Sequence, residues 1–132
     1  MRFNHAGEVL PDSQLNIVDL VRMAGVISRE KGWHDSGQPG MTVGEQLSLL
    51  HCEVSEATEE ARRGRMSLYF TEVETEDGVP ERKPQGFPIE LADVVIKACE
   101  LADRFDQDLV TALREKLAYN SRRPHRHGGK FF

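Results

Sequence analysis

An all-α fold of the four-helix-bundle type, completed by oligomerisation, is predicted for this chain, and three observations predict it. Apolar residues recur at helical spacing in four separate stretches, each with its own start signals. At 132 residues the chain makes one domain with a real but modest core, which a second subunit can complete. Two acidic pairs at i, i+3 spacing, Glu53/Glu56 and Glu90/Asp93, sit inside two of the apolar stretches. Residues three apart on a helix share a face, with roughly 5–6 Å between Cβ atoms, so each pair aims two carboxylates in one direction.

Composition narrows the class before any motif does. A net charge of −5 with 30% charged residues describes a globular chain and argues against nonspecific binding to a nucleic-acid backbone. The two cysteines, Cys52 and Cys99, lie in helical stretches without CxxC spacing, which disfavours structural disulfides and a zinc site and fits a reducing cytoplasm. The amino-terminal residues carry no apolar core of signal-peptide length. No stretch reaches the roughly 20 apolar residues that span a bilayer, so no membrane partner is expected.

Taken in order, Pro11-Asp12-Ser13 offers a helix start with Asp12 or Ser13 as cap, and a first helix is expected over about 13–31, from the spacing of Leu15 through Ile27. The Gly- and Pro-rich stretch that follows reads as a loop holding Trp33, the single tryptophan, either as an anchor on the core or as a platform for a flat ligand. Thr42 and Glu45 have the form of a capping box and open a second helix, over 42–64. Glu53, Glu56 and Glu60 form a strip beside its apolar stripe, which is either a solvated face or a set of ligands. Residues 65–87 lose periodicity; Tyr69, Phe70 and Val73 suit a short extended piece before Asp77-Gly78 turns the chain, and this polar insertion is assigned no chemistry.

Pro88 suits the first turn of a third helix over 88–105, apolar around so much of its circumference that it should be the most buried. On such a helix Glu90, Asp93 and Lys97 need partners, since an unpaired buried carboxylate is costly; an arginine salt bridge and metal ligation are the two solutions. Asp106 or Asp108 can cap a fourth helix over 107–121. Beyond it runs a basic tail, 122–132. From Lys116 onward come Arg122, Arg123, Arg126 and Lys130 with no acid among them, a disordered end or a surface for a polyanion.

Four like charges on two facing helices repel unless a cation joins them, and a hard divalent ion with oxygen ligands is the natural one. Cations nearby could hold the phosphates of a metal-bound di- or triphosphate, and two metals roughly 3.5–4 Å apart could activate a water for in-line attack at phosphorus. There is no GxxxxGK[ST], which excludes a P-loop enzyme.

The chain resembles the MazG-type all-α nucleoside triphosphate pyrophosphohydrolases. The resemblance rests on ExxE then ExxD, here Glu53-Val-Ser-Glu56 and Glu90-Leu-Ala-Asp93, on KGW before the second helix, on GFPIELADVVI, and on KLAYNSRRPHRHGGK, covering about residues 14–130. It implies the four-helix-type bundle of that enzyme class in a homodimer or homotetramer. Magnesium, with manganese as a possible substitute, would be held by Glu53, Glu56, Glu90 and Asp93. It also implies phosphate contacts from Lys116 and Asn120, with Arg123 and Lys130 as weaker candidates, and a base-stacking place for Trp33. The implied reaction is cleavage of a nucleoside triphosphate between its α and β phosphates to the monophosphate and pyrophosphate. Two departures stand out. The span from Ala57 to Ile89 between the motifs is longer than is usual in the family, and Cys52 stands where some members carry a Glu that orients or deprotonates the attacking water. The base is therefore left among the four acids, Glu53 or Glu56 first. Alternatives are hydrolysis of phosphoribosyl-ATP within the same superfamily, and a non-catalytic helical module whose carboxylates are salt-bridge partners. A di-iron bundle is disfavoured because Glu-x-x-His pairs are absent.

Overall fold

A computed structural model of the chain describes residues 15–32 and 42–131. It is mostly helical, with one small sheet. Helix α1 spans Ile17–Glu30. It starts later than the expected 13, because Asn16 caps it: the Asn16 Oδ1 accepts from the Asp19 backbone N–H at 2.9 Å. The expected caps Asp12 and Ser13 lie outside the described residues. Helix α2, Val43–Arg62, opens on the capping box read from sequence. The Glu45 N–H donates to Thr42 Oγ1 at 3.2 Å and the Thr42 N–H donates to Glu45 Oε2 at 3.0 Å.

The stretch taken as a loop and insertion is an antiparallel hairpin, β1 (Tyr69–Val73) with β2 (Glu81–Gln85), in the register Tyr69↔Gln85 and Val73↔Glu81. Strand β2, ERKPQ, has no apolar alternation to announce it. It forms by pairing with β1, and Pro84 is tolerated because a two-stranded sheet leaves an open edge. The Arg82 guanidinium stacks over the Phe70 ring at 4.3 Å. Asp77 closes the turn, accepting from the Val79 N–H at 3.1 Å.

Helix α3, Phe87–Arg104, follows directly, with Pro in its first turn. Gly86 makes this junction. Its φ is +111°, and a Cβ there would overlap the Ser67 carbonyl oxygen, so only glycine fits. The Phe87 N–H donates to the Arg65 carbonyl at 2.9 Å, pinning the start of α3 beside the end of α2. Helix α4, Leu109–Ser121, is capped by Asp108, which accepts from the Thr111 N–H at 3.0 Å. The expected tail holds one further helical turn, α5, Arg126–Gly129.

Helix α3 lies at the centre, packed on α1 and α2, with β2 against it as well; α4 lies mainly against α1. Among the described residues the buried apolar ones are few and, Leu101 apart, small: Ala24, Ala57, Cys99, Leu101 and Ala102. Small residues let backbones approach. Gly25 of α1 is buried where a Cβ would overlap the Asp103 carboxylate, and this closeness lets Arg29 pair with Asp103 across α1 and α3. Much apolar surface stays outside, including Leu91, Val95 and Ile96 of α3, and α4 buries no residue at all. Among the described residues no helix is long and apolar enough to cross a membrane.

Candidate metal centre

The spacing of each acidic pair puts its carboxylates on one helix face, and the α2–α3 contact turns the two faces toward each other. Carboxylate oxygens of Glu53, Glu56 and Glu90 lie within 4.8 Å of one another; Glu53 and Glu90 are half-buried and Glu56 is exposed. Ala57, buried beside Glu56, is small enough to permit the approach. Asp93 falls outside this tight group of three yet adjoins it, since its charge acts on both Glu53 and Glu90.

The electrostatics show the strain of this gathering. Burial holds the Glu53 carboxyl above the usual carboxylate range, the charges of Glu56 and Asp93 push it further, and Lys97 opposes them. Glu90 is raised by burial first, then by Glu56 and Asp93; Asp93 is raised by burial and then by Glu56, with Lys83 of the hairpin opposing. Among the described residues no Lys or Arg forms an ion pair with any of the four acids. The salt-bridge solution therefore has no partner there. Glu90 Oε2 is buried and has no hydrogen-bond partner among the described residues. A buried carboxylate oxygen without a donor, amid other carboxylates, is what a divalent cation would satisfy, and an all-oxygen donor set suits magnesium or manganese.

Beside the acids lies a buried polar network that sequence reasoning missed except for Lys97. Lys97 Nζ donates to Gln46 Oε1 at 2.9 Å and pairs with Glu100 Oε2 at 3.1 Å. Glu100 Oε1 also accepts from Ser28 Oγ at 3.0 Å and Arg104 Nε at 2.9 Å. A signal was present: Asp93, Lys97 and Glu100 are spaced i, i+4, i+7, one helical face, as are Gln46 and Glu53. Glu60, read in one strip with Glu53 and Glu56, has a different task. It accepts from Arg65 Nη2 at 2.6 Å and from the Tyr69 hydroxyl at 3.1 Å, and so clips β1 to α2. The Arg65 hydrogen bonds hold the Glu60 carboxyl below the usual range, while desolvation and then Glu60 push the Tyr69 hydroxyl up.

Of the other expected site residues, Trp33 lies outside the described residues. Lys116 and Asn120 are exposed on α4, and Lys130 is exposed after α5. Lys116 Nζ sits 5.1 Å from the centre of the Tyr119 ring and the Arg123 guanidinium 5.7 Å from it, so these two cations gather around a ring of α4 itself. Cys52 is exposed on α2 next to Glu53. No protein-family model, curated protein or solved structure proved similar to the chain.

Proposed function

We propose that this chain is a magnesium-dependent nucleoside triphosphate pyrophosphohydrolase of the MazG type, cleaving ribo- or deoxyribonucleoside triphosphates between the α and β phosphates to the monophosphate and pyrophosphate. The observation that carries the reading is the meeting of Glu53, Glu56 and Glu90, with Asp93 adjoining, without a cationic partner among the described residues. Glu53, Glu56, Glu90 and Asp93 would hold the metal. Magnesium, when bound there, supplies charge neutralisation for the phosphates and a lowered pKa for a coordinated water. The chain's own contribution is to fix the acids on two packed helices and to accept a proton. In this reading the water's proton passes to an Oε atom of Glu53, which is half-buried, or of Glu56, which is exposed.

The bundle is completed in this reading by a second copy, in a homodimer or homotetramer. The support is α4, where Leu113 and Leu117 are 37% and 67% exposed. Lys116, Asn120, Arg123 and Lys130 provide the polar and cationic surface for phosphate oxygens. A panel of nucleotides with magnesium, its products resolved by phosphorus NMR, tests the reaction. Monophosphate with pyrophosphate is expected, and diphosphate with inorganic phosphate would overturn the bond assigned. Glu56→Ala and Asp93→Ala should each abolish turnover with helical content retained; activity surviving in both rejects the ligand set.

A further inference from the structure

A cleft of about 260 Å³ runs between α1, α2 and α3, and two of its lining residues, Glu53 and Asp93, belong to the acidic site. Its apolar walls are Ala24 and Ile27 of α1 and Ile96 of α3, and its polar wall is Lys97 with Glu100. Small-molecule sites are commonly about 300–1,000 Å³, so this cleft takes a fragment of a nucleotide and not the whole. With the triphosphate drawn to the carboxylates and their metal, the fragment beside them is the nucleoside.

Lys97 supplies the polar contact. An ammonium has three N–H donors. Gln46 Oε1 accepts one, the Glu100 carboxylate pairs with the ammonium at 3.1 Å, and the side chain keeps 17% of its surface exposed at the cleft. Its position is fixed, because Glu100 is itself held by Ser28 and Arg104. Resting on the pyrophosphohydrolase reading, we infer that the nucleoside part of the substrate docks in this cleft, with its flat apolar face on Ile27 and Ile96 and one of its oxygens accepting from an N–H of Lys97 that Gln46 does not take. That oxygen is a carbonyl of the base or a hydroxyl of the sugar. Lys97 is thus a specificity-determining residue, separate from the metal ligands.

The test compares wild type, Lys97→Met and Ile27→Trp, each checked for helical content. Lys97→Met removes the donor at similar length, and Ile27→Trp, at a position 41% exposed, fills the cleft from its apolar wall. Each should raise KM for nucleoside triphosphates by roughly tenfold or more, the scale of a charge-assisted hydrogen bond or a blocked pocket. The inhibition constant of inorganic tripolyphosphate, which lacks a nucleoside, should stay unchanged. Loss in Lys97→Met of a wild-type preference for UTP over ATP assigns the contact to a base carbonyl. Loss of a preference for ribose over 2′-deoxyribose or 2′,3′-dideoxyribose substrates assigns it to the sugar. Unchanged nucleotide KM in both variants, or an equal loss toward tripolyphosphate, overturns the cleft assignment while wild-type turnover still supports the parent reading. A wild type that releases pyrophosphate from no nucleotide overturns both.

Discussion

Glu56 of α2 and Glu90 of α3 bring carboxylate oxygens within 4.8 Å of each other across the helix interface, and among the described residues the buried Glu90 Oε2 has no hydrogen-bond donor. Such a contact costs stability when both groups are charged, and a divalent ion reverses its sign. Glu90→Gln should therefore raise the Tm of the magnesium-free protein at neutral pH while reducing the magnesium-induced rise, and should lower turnover at least about 100-fold. Scanning calorimetry with and without magnesium, beside a pyrophosphate-release assay, measures all three.

The same cluster sets a pH dependence. Glu53, Glu90 and Asp93 have raised folded values. A raised carboxyl holds its proton more tightly in the folded chain, so its contribution is fully present below the ordinary values of about 3.9–4.3 and is lost as pH rises through the folded values. The magnesium-free cluster is thus least favourable at neutral pH, where metal has most to relieve. The magnesium-induced rise in Tm should be largest there and shrink as pH falls into the window just above the ordinary carboxylate values. Glu60 works in the opposite sense: its folded value is lowered, so its clip on Tyr69 and Arg65 stabilises above the ordinary value and weakens as pH falls through the folded one. A rise in Tm that is flat from neutral to acid pH would contradict the cluster as the site of the metal.

Glu100, 3% exposed, is ion-paired with both Lys97 and Arg104. Removing one partner of a buried ion pair leaves uncompensated charge, at a cost of about 3–5 kcal/mol. Urea denaturation of Glu100→Ala should show a loss of this size, against much less for Glu59→Ala, whose pair with Arg63 is exposed on both sides.

Leu117, at 67% exposed, touches little within the chain. In the proposed homo-oligomer it is covered, so Leu117→Glu should shift the mass measured by light scattering to that of a monomer while leaving helical content unchanged. Wild-type protein that is monomeric at micromolar concentration would refute the assembly.

Local signals carried much of the fold into the sequence. Thr42 and Glu45, Pro88, and Asp108 announced helix starts because caps depend on residues within a turn of one another. The acidic pairs were equally legible, since i, i+3 spacing states that two side chains share a face. What spacing could not state is which faces meet. That Glu90 comes against Glu53 and Glu56, with Asp93 a step outside, is a product of the α2–α3 packing. Gln46 and Ser28 carry no signal of their own in the sequence; their partners Lys97 and Glu100 lie far along the chain and meet them only through packing. Strand β2 escaped notice for a related reason: ERKPQ owes its conformation to its pairing with β1 and to no pattern of its own.

The hairpin between the acidic pairs is fastened at its base, by Glu60 holding Arg65 and Tyr69 and by the Phe87 N–H on the Arg65 carbonyl. Its far end, from Thr75 to Val79, is closed by its own hydrogen bonds. Chain length at that tip is therefore decoupled from carboxylate geometry: residues could be added or removed around Asp77-Gly78, or a label inserted there, and the two helices would still present their acids to each other. The number of residues separating the two motifs is thus a poor guide to whether such a chain can assemble the site, and the anchors at the hairpin base are a better one.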